Sequence, residues 1–285
     1  MLHPAHIAIT AALLAYGGGA PTRPLPQGVT PNTPLDAPDP FDSATVDSDT
    51  DTDPGDSADT DTDSGGADTD TEPPTEPAVC PDDMVEVPGA CMDRYEAPNI
   101  EGGLPLVMYS FDEADAWCEA RDKRLCFDDE WQAACEGAAG SAYPYGDAHE
   151  PGRCNDEEIW RVYSQDALNQ WPSSASASDI DSLDELLAAV RSAGADIAAD
   201  EIEELYQGEG GGANTGCGGD YGAYDLVGNV EEWTRRRDGG EPSFHGNLKG
   251  RYWAESRTCQ SAVTSHGDPF RFYEIGFRCC AELSR

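Results

Sequence analysis

Ten cysteines, all between Cys80 and Cys280, constrain the folding of this 285-residue chain more than any other feature. Cysteines at this density are typical of proteins that fold in an oxidising compartment and are held by disulfides, with cytosolic metal sites as the alternative. No Cys-x-x-Cys pair occurs and the five histidines are scattered, so the sequence disfavours a zinc site. The sequence therefore predicts one disulfide-stapled domain over residues 80–285.

The start of the chain has the features of an export signal. An apolar run from Ile7 to Tyr16 precedes the small residues Gly18 and Ala20, which predicts a signal peptide over residues 1–20 although no Lys or Arg precedes the run. The run is too short to anchor the chain across a bilayer, and no cysteine follows it for lipid attachment. We therefore expect an exported protein, periplasmic, cell-surface or extracellular, in a style typical of bacteria.

Residues 21–79 are dominated by Asp, Thr and Pro, and no Lys or Arg occurs between Arg23 and Arg94. Uncompensated negative charge with few apolar residues predicts a disordered, extended linker that acts as a spacer. Weak calcium binding by its aspartates and glycosylation of its threonines are the alternatives. The whole chain has 56 acidic and 17 basic residues, so nucleic acid and anionic membranes are not expected partners.

From Cys80 onward, apolar periodicity predicts regular elements between turn-rich segments. They are a strand over 84–87 ending at Pro88-Gly89, helices over 111–121 and 128–136, and a helical stretch over 181–206 broken near Gly194. Ala114, Trp117 and Cys118 share one face of the first helix, and Gly137 ends the second. We expect the stretch from about 156 to 216 to be a helical insertion on the domain surface. The fold class is α+β with much irregular structure.

The segment YGAYDLVGNVEEW, residues 221–233, concentrates glycines, carboxylates and aromatic residues. Gly222 and Gly228 permit tight turns that a side chain would forbid. The carboxylates of Asp225 and Glu232 and the carbonyls of Gly228 and Val230 form a candidate oxygen cage for calcium. The alternative is a buried turn in which both carboxylates cap backbone N–H groups and the aromatic residues belong to the core.

Several motifs, taken in order, resemble the formylglycine-generating enzyme family, also called sulfatase-modifying factors. They are MVEVPG (84–89), DRYEAPN (93–99), FDEADAWCEARDKRLCFDDEW (111–131), ACEG (134–137), YPYGD (143–147), YDLVGNVEEW (224–233), LKGRYW (248–253) and GFRC (276–279). The resemblance covers Cys80 to about Ala281 and implies a domain related to C-type lectins. The same domain occurs in catalytic oxidases, in sulfoxide synthases and in secreted bacterial proteins of unknown role.

The resemblance also implies the site residues. Its calcium site falls on Asp225, Gly228, Val230 and Glu232, and a second site would involve Asn155 with the backbone of Asp156, although its other ligands fall in the insertion. The implied disulfides are Cys118–Cys279 and Cys135–Cys259. The connectivity of the other six cysteines stays open; nearness to shared turns favours Cys80–Cys91 and Cys154–Cys217, which leaves Cys126–Cys280.

The sequence departs from the family pattern at the catalytic centre. The family oxidase binds Cu(I) through two thiolates spaced Cys-x4-Cys after a Gly-Gly-Ser motif, a ligand set that suits a soft cation. Here Gly250-Arg251-Tyr252 replaces that motif, and the run GRYWAESRTC holds one cysteine, Cys259, which is catalytic only if it is free. We therefore do not expect copper.

Two functions follow from these observations. The favoured one is a non-catalytic, calcium-stabilised module that binds a peptide, protein or glycan; the alternative is a formylglycine-generating oxidase acting on exported sulfatases, or a divergent oxidoreductase. Iron-dependent relatives place their histidine ligands in a separate N-terminal helical domain, where this chain has the acidic segment. Candidate pocket residues, each with a core position as the alternative, are Tyr252, Trp253, His266, Phe270, Arg271, Phe272 and Tyr273.

Overall fold

The computed structural model describes residues 80–283, so the expected signal peptide and acidic linker lie outside the described residues. In chain order the elements are β1 Met84–Val87, β2 Ala90–Asp93, α1 Phe111–Glu119, β3 Arg124–Leu125, α2 Asp128–Glu136, α3 Gln165–Leu168, α4 Leu183–Ser192, α5 Asp196–Leu205, a 3-10 turn Thr215–Cys217, β4 Glu231–Arg235, β5 Gly246–Lys249, β6 Arg251–Tyr252, β7 Glu255–Ser256, β8 Ile275–Phe277 and β9 Cys279–Ala281. The α+β fold class with long irregular connections is confirmed. No helix in this range is long and apolar enough to cross a membrane.

Three small sheets organise the strands. The first has the order β1-β2-β9-β3, the second has the order β5-β4-β8, and β6 pairs only with β7. β4 pairs antiparallel with β5 and parallel with β8. Arg278 is the single residue between β8 and β9, so the chain passes at Arg278 from the second sheet to the first.

The helices α1 and α2 form where the sequence predicts them. Ser110 and Glu113 form a capping box at the start of α1, which buries Ala114, Trp117 and Cys118. α1 ends at Glu119, two residues earlier than predicted. α2 has the predicted bounds and is followed by Gly137 with φ +63°, a backbone conformation that favours glycine.

The helical stretch near Gly194 is part of the core. α4 and α5 are separated by a short break, as predicted, and Leu186, Val190, Ala198 and Ile202 on their inner faces are fully buried. These side chains belong to the same hydrophobic cluster as Trp117 and Trp233. The outer faces of the two helices are exposed. The segment therefore contributes its inner faces to the domain core.

Five disulfides join all ten cysteines and leave none free. The pairs are Cys80–Cys91, Cys118–Cys279, Cys126–Cys280, Cys135–Cys259 and Cys154–Cys217. They coincide with the two pairs implied by the family resemblance and with the favoured pairing of the other six cysteines. The adjacent residues Cys279 and Cys280 thus attach β9 to α1 and to the loop before α2.

Candidate functional site

The segment before β4 is a tight loop that packs directly against Asn155. Asp225, Gly228 and Asn229 have φ angles of 59°, 76° and 56°, so three of five consecutive residues adopt left-handed conformations. A Cβ atom on Gly228 would lie 2.3 Å from the Asn155 carbonyl oxygen, and only glycine fits there. The Asn229 N–H donates to that oxygen at 2.7 Å. The structure therefore brings residues of both expected calcium sites together.

Asn229, which the sequence analysis did not single out, holds the loop together from its centre. Its side-chain oxygen accepts hydrogen bonds from Asn155 Nδ2 at 3.1 Å and from the Glu209 N–H at 2.8 Å. Its side-chain nitrogen donates to Glu96 Oε1 at 3.0 Å and to the Glu209 carbonyl at 3.2 Å. All four hydrogen-bonding positions of this buried amide are therefore used, which fixes the loop in one conformation.

Glu232 forms a buried ion pair with Arg278. Arg278 Nε and Nη2 donate to the two carboxylate oxygens, each at 2.7 Å, and Trp131 Nε1 donates to one of them at 3.0 Å. Both charged side chains are almost completely buried. Burial opposes the charged guanidinium, but the Glu232 carboxylate holds the pKa of Arg278 above its ordinary value. The expected alternative for Glu232, capping of backbone N–H groups, is not what the structure shows.

Asp225 and Glu96 are further buried carboxyl groups beside this pair. Asp225 accepts a hydrogen bond from the Gly212 N–H at 2.7 Å, and burial raises its pKa to about 6. Burial and the nearby Asp225 carboxylate raise the pKa of Glu96 well above its usual range. Glu96 Oε2 has no hydrogen-bond partner between residues 80 and 283. Three carboxyl groups thus surround one guanidinium, an arrangement that favours uptake of a cation or of protons.

The donors at this loop fit calcium in part. Asp225 and the unpartnered oxygen of Glu96 are hard oxygen donors in a region of excess negative charge, which suits Ca²⁺. Glu232 fits less well because both of its oxygens accept hydrogen bonds from Arg278. In the part of the chain that the structure describes, no three His, Cys, Asp or Glu side chains are grouped to hold a metal ion. A cation here therefore needs backbone carbonyls such as those of Gly228 and Val230.

The second expected calcium site also has only some of the oxygen donors that calcium needs. The Asn155 side chain donates to Asn229 and to the Gln207 carbonyl, the latter at 3.0 Å. Asp156 is buried, and one of its carboxylate oxygens contacts His149 Nε2 at 2.8 Å. Its other oxygen has no hydrogen-bond partner among residues 80–283, so one hard donor is available at this position.

The run from Gly250 to Cys259, where the resemblance would place the copper thiolates, holds a disulfide and ion pairs. Cys259 is bonded to Cys135. Arg251 has φ +61°, and its guanidinium donates to Glu231 at 3.3 Å and to Glu255. A bulky charged side chain with carboxylate partners therefore occupies the middle position of Gly250-Arg251-Tyr252.

The pocket candidates form a row of aromatic rings that is mostly core. Tyr252, Trp253 and Tyr273 are buried, and the Trp253 ring centroid lies 6.0 Å and 6.1 Å from those of the two tyrosines. His266 stacks on Phe270 at 3.8 Å, and Phe272 connects that stack to Tyr273. Arg271 instead forms an ion pair with Glu113 of α1 at 3.0 Å. The Arg271 side chain is thus held by α1, whereas its chain neighbours Phe270 and Phe272 belong to the row of rings.

Comparison with known proteins decides the family. The profile of the sulfatase-modifying factor enzyme 1-like domain, the FGE-sulfatase family, matches residues 50–283. The chain belongs to this family. The resemblance found in the sequence motifs is therefore confirmed, and the sulfatase-modifying-factor-like domain extends over the whole described range.

Two relatives of this sulfatase-modifying-factor-like protein are named inactive Cα-formylglycine-generating enzyme 2. The one from Bos taurus is 27% identical over 190 residues, covering 64% of this chain and 52% of the relative. The one from Mus musculus is 26% identical over 190 residues, covering 64% and 50%. The chain thus spans about half the length of these curated relatives.

Two solved structures have limited similarity to this chain, with low TM-scores. The major tropism determinant U1 variant is 12% identical with a TM-score of 0.36, over 72% of this chain and 54% of that chain. Treponema denticola variable protein 1 is 18% identical with a TM-score of 0.25, over 56% and 48%.

Proposed function

We propose that this sulfatase-modifying-factor-like protein is an exported, non-catalytic module that binds a peptide, protein or glycan. The observation that carries the proposal is the Cys135–Cys259 disulfide, within a set of bridges that uses all ten cysteines. Cu(I) in the family oxidase requires two thiolates, and this chain has no free thiol to supply them. The naming of two relatives as inactive supports the same conclusion.

The ion pairs of Arg251 add a second argument against the oxidase. Its guanidinium contacts Glu231 and Glu255, so the site carries fixed charges in place of soft ligands. Export is supported by the five disulfides, because such bridges form and persist mainly in oxidising compartments.

Two measurements on one preparation test the non-catalytic role: an oxidase assay and a map of the disulfides. The full chain is incubated with Cu(I), oxygen and a cysteine-containing sulfatase peptide, and the peptide is analysed by mass spectrometry beside a non-reducing peptide map of the protein. We expect an unchanged peptide cysteine and ten bridged protein cysteines. Conversion of the peptide cysteine to an aldehyde, lost in the Cys259→Ser variant, would show that the oxidase alternative is right.

We also propose calcium as a stabilising ligand of this module. Asp225 and Glu232 would supply side-chain oxygens and Gly228 and Val230 carbonyl oxygens, with Asn155 and the backbone of Asp156 at a second site. The support is the excess of buried carboxyl groups around Arg278 and the unpartnered oxygen of Glu96. When bound, the ion would supply positive charge that offsets the repulsion between these groups.

Thermal unfolding in calcium and in EGTA tests this ligand. We expect calcium to raise the melting temperature of the wild type and of the control Asp166→Asn, an exposed position on α3, because only folded protein presents the site. Asp225→Asn should abolish the rise. A wild-type melting temperature that is the same in both buffers would refute calcium binding and leave the non-catalytic role standing.

A further inference from the structure

The segment Ile159–Val162, called the exposed strip below, presents apolar side chains to solvent. Ile159 and Val162 are each 82% exposed and Trp160 is 48% exposed. Isolated exposed apolar residues are ordinary on protein surfaces, but here three large ones lie within four consecutive residues. Clustered exposed apolar side chains mark interaction sites in folded proteins, so the exposed strip is a candidate contact surface.

The exposed strip is held in place from several sides. The Glu158 N–H donates to the Trp253 carbonyl at 2.7 Å, and Gln207 Nε2 donates to the Ile159 carbonyl at 3.1 Å. The Arg161 guanidinium donates to the Glu204 carbonyl at the end of α5. These bonds connect the exposed strip to both the strand region and the helices, so it is preorganised for contact without further folding.

The aromatic residues around the exposed strip connect it to the core. The Trp160 ring lies edge-on to Tyr163 at a centroid distance of 6.2 Å, and Tyr163 meets Phe272 edge-on at 5.0 Å. Tyr163 and Phe272 pack against the main hydrophobic cluster. Half-exposed Trp160 is therefore a rigid aromatic anchor, the type of residue that contributes most binding energy in protein interfaces.

The backbone of the exposed strip offers hydrogen-bonding groups. The backbone N–H groups of Trp160, Arg161 and Val162 donate to no acceptor among residues 80–283. The strip is also outside every helix and strand. Unpaired backbone beside exposed apolar side chains is what an extended peptide pairs with when it adds to a protein edge.

Charge around the exposed strip identifies the chemistry of the partner. Residues 156–216 contain fourteen acidic residues and two basic ones, Arg161 within the strip and Arg191 on α4. Glu157 and Glu158 adjoin the strip in the chain. On α5, the backbone carbonyl of Glu204 accepts a hydrogen bond from Arg161, and Glu201 accepts the N–H of Ser164, two residues beyond the strip. A second copy of this chain, with its net charge of -39, would be repelled. A segment carrying Lys or Arg would instead be attracted.

We propose that the exposed strip is the docking surface for an extended segment of a partner protein that alternates apolar and basic side chains. The partner's apolar side chains cover Ile159, Trp160 and Val162, its backbone pairs with the free N–H groups, and its basic side chains contact the flanking glutamates. The proposal specifies the partner class within the proposed function of a non-catalytic binding module.

Binding to an array of hexapeptides tests the exposed strip. The array holds peptides that alternate Val, Leu or Ile with Lys, with Glu or with Ser, and the labelled full chain is applied at low and at high salt. We expect the Lys class to bind at least tenfold better than the Glu class, and added salt to weaken that binding. The double variant Ile159→Ser with Val162→Ser should lose tenfold or more of it.

The control is Ile197→Ser, which removes an apolar side chain 59% exposed on α5, outside the exposed strip. This variant should bind the Lys class like the wild type. Equal binding of the three peptide classes, no binding at all, or full binding by the double variant overturns the docking surface. Aldehyde formation on a cysteine peptide under copper would overturn the non-catalytic role instead, so the two failures are distinguishable.

Discussion

At the scale of single residues, the sequence motifs did not predict the ion pair between Arg278 and Glu232. The glycine turns and the position of Glu232 could be inferred from YDLVGNVEEW alone. Arg278 lies 46 residues further along the chain, and no local spacing links the two. The available signal was a lone arginine within the apolar run of GFRC, because a charge in such a run needs a buried partner.

Removing the guanidinium should be costly. Arg278→Met leaves Glu232 buried without its counter-ion, and we expect a loss of about 3–5 kcal/mol in the free energy of unfolding. Urea unfolding followed by tryptophan fluorescence, with disulfides intact, measures it. The control Arg191→Met breaks ion pairs with Asp200 and Glu203 that are partly exposed to solvent, and should change stability far less. Equal losses from both variants would contradict a special role for the buried pair.

Glu274 makes stability depend on pH. Burial, together with the Glu231 carboxylate, raises its pKa from 4.5 to about 8, while Tyr273 and Arg251 oppose the rise. The folded state therefore binds this proton more tightly than the unfolded chain, so its stabilising contribution is complete below about pH 4.5 and is lost as the pH rises through 8.

Glu274→Gln removes this dependence. The variant should match the wild type near pH 5 and be the more stable protein at pH 9, as measured by urea unfolding across the pH range. Exposed Glu241→Gln is the matched control and should follow the wild type at every pH. A wild type that is as stable as Glu274→Gln at pH 9, or more stable, would contradict the destabilising role of the carboxylate there.

At the scale of elements, helix periodicity predicted α4 and α5 but did not predict that they pack against the domain core. Leu183, Leu186, Leu187 and Val190 repeat at helical spacing, a pattern that fits an amphipathic surface helix and a helix docked on a core equally well. What decides is contact with distant residues such as Trp117, whose indole Nε1 donates to the Ile180 carbonyl at 2.7 Å. Such a contact across 63 residues has no signature in local sequence.

Leu186→Ala tests whether these helices share the stability of the whole domain. Leu186 is fully buried in the main cluster, so we expect a loss of about 2–5 kcal/mol in the global free energy of unfolding. The exposed Ile197→Ala on α5 should cost much less. An appendage that unfolds independently would give a separate early transition and leave the main transition of Leu186→Ala unchanged.

At the scale of the whole molecule, cysteine count and family resemblance defined the fold, while three-dimensional proximity completed the pairing. Six cysteines have fifteen pairings in principle, and spacing alone left theirs open. The structure adds that Cys279 and Cys280, adjacent in β9, reach Cys118 and Cys126, which are eight residues apart. The two bridges therefore close nearly the same large loop, and each is a partial substitute for the other.

Removal of these two bridges should be non-additive. With one bridge kept, the chain between Cys118 and Cys126 closes only a short loop, so replacing either pair by alanines should cost roughly 2–3 kcal/mol. Replacing both opens a much longer loop and should cost about 1 kcal/mol more than the sum. Urea unfolding of the two double variants and the quadruple variant measures this difference. A quadruple variant that loses less than the sum would show that the bridges act through local strain or contacts instead of through the shared constraint on the unfolded chain.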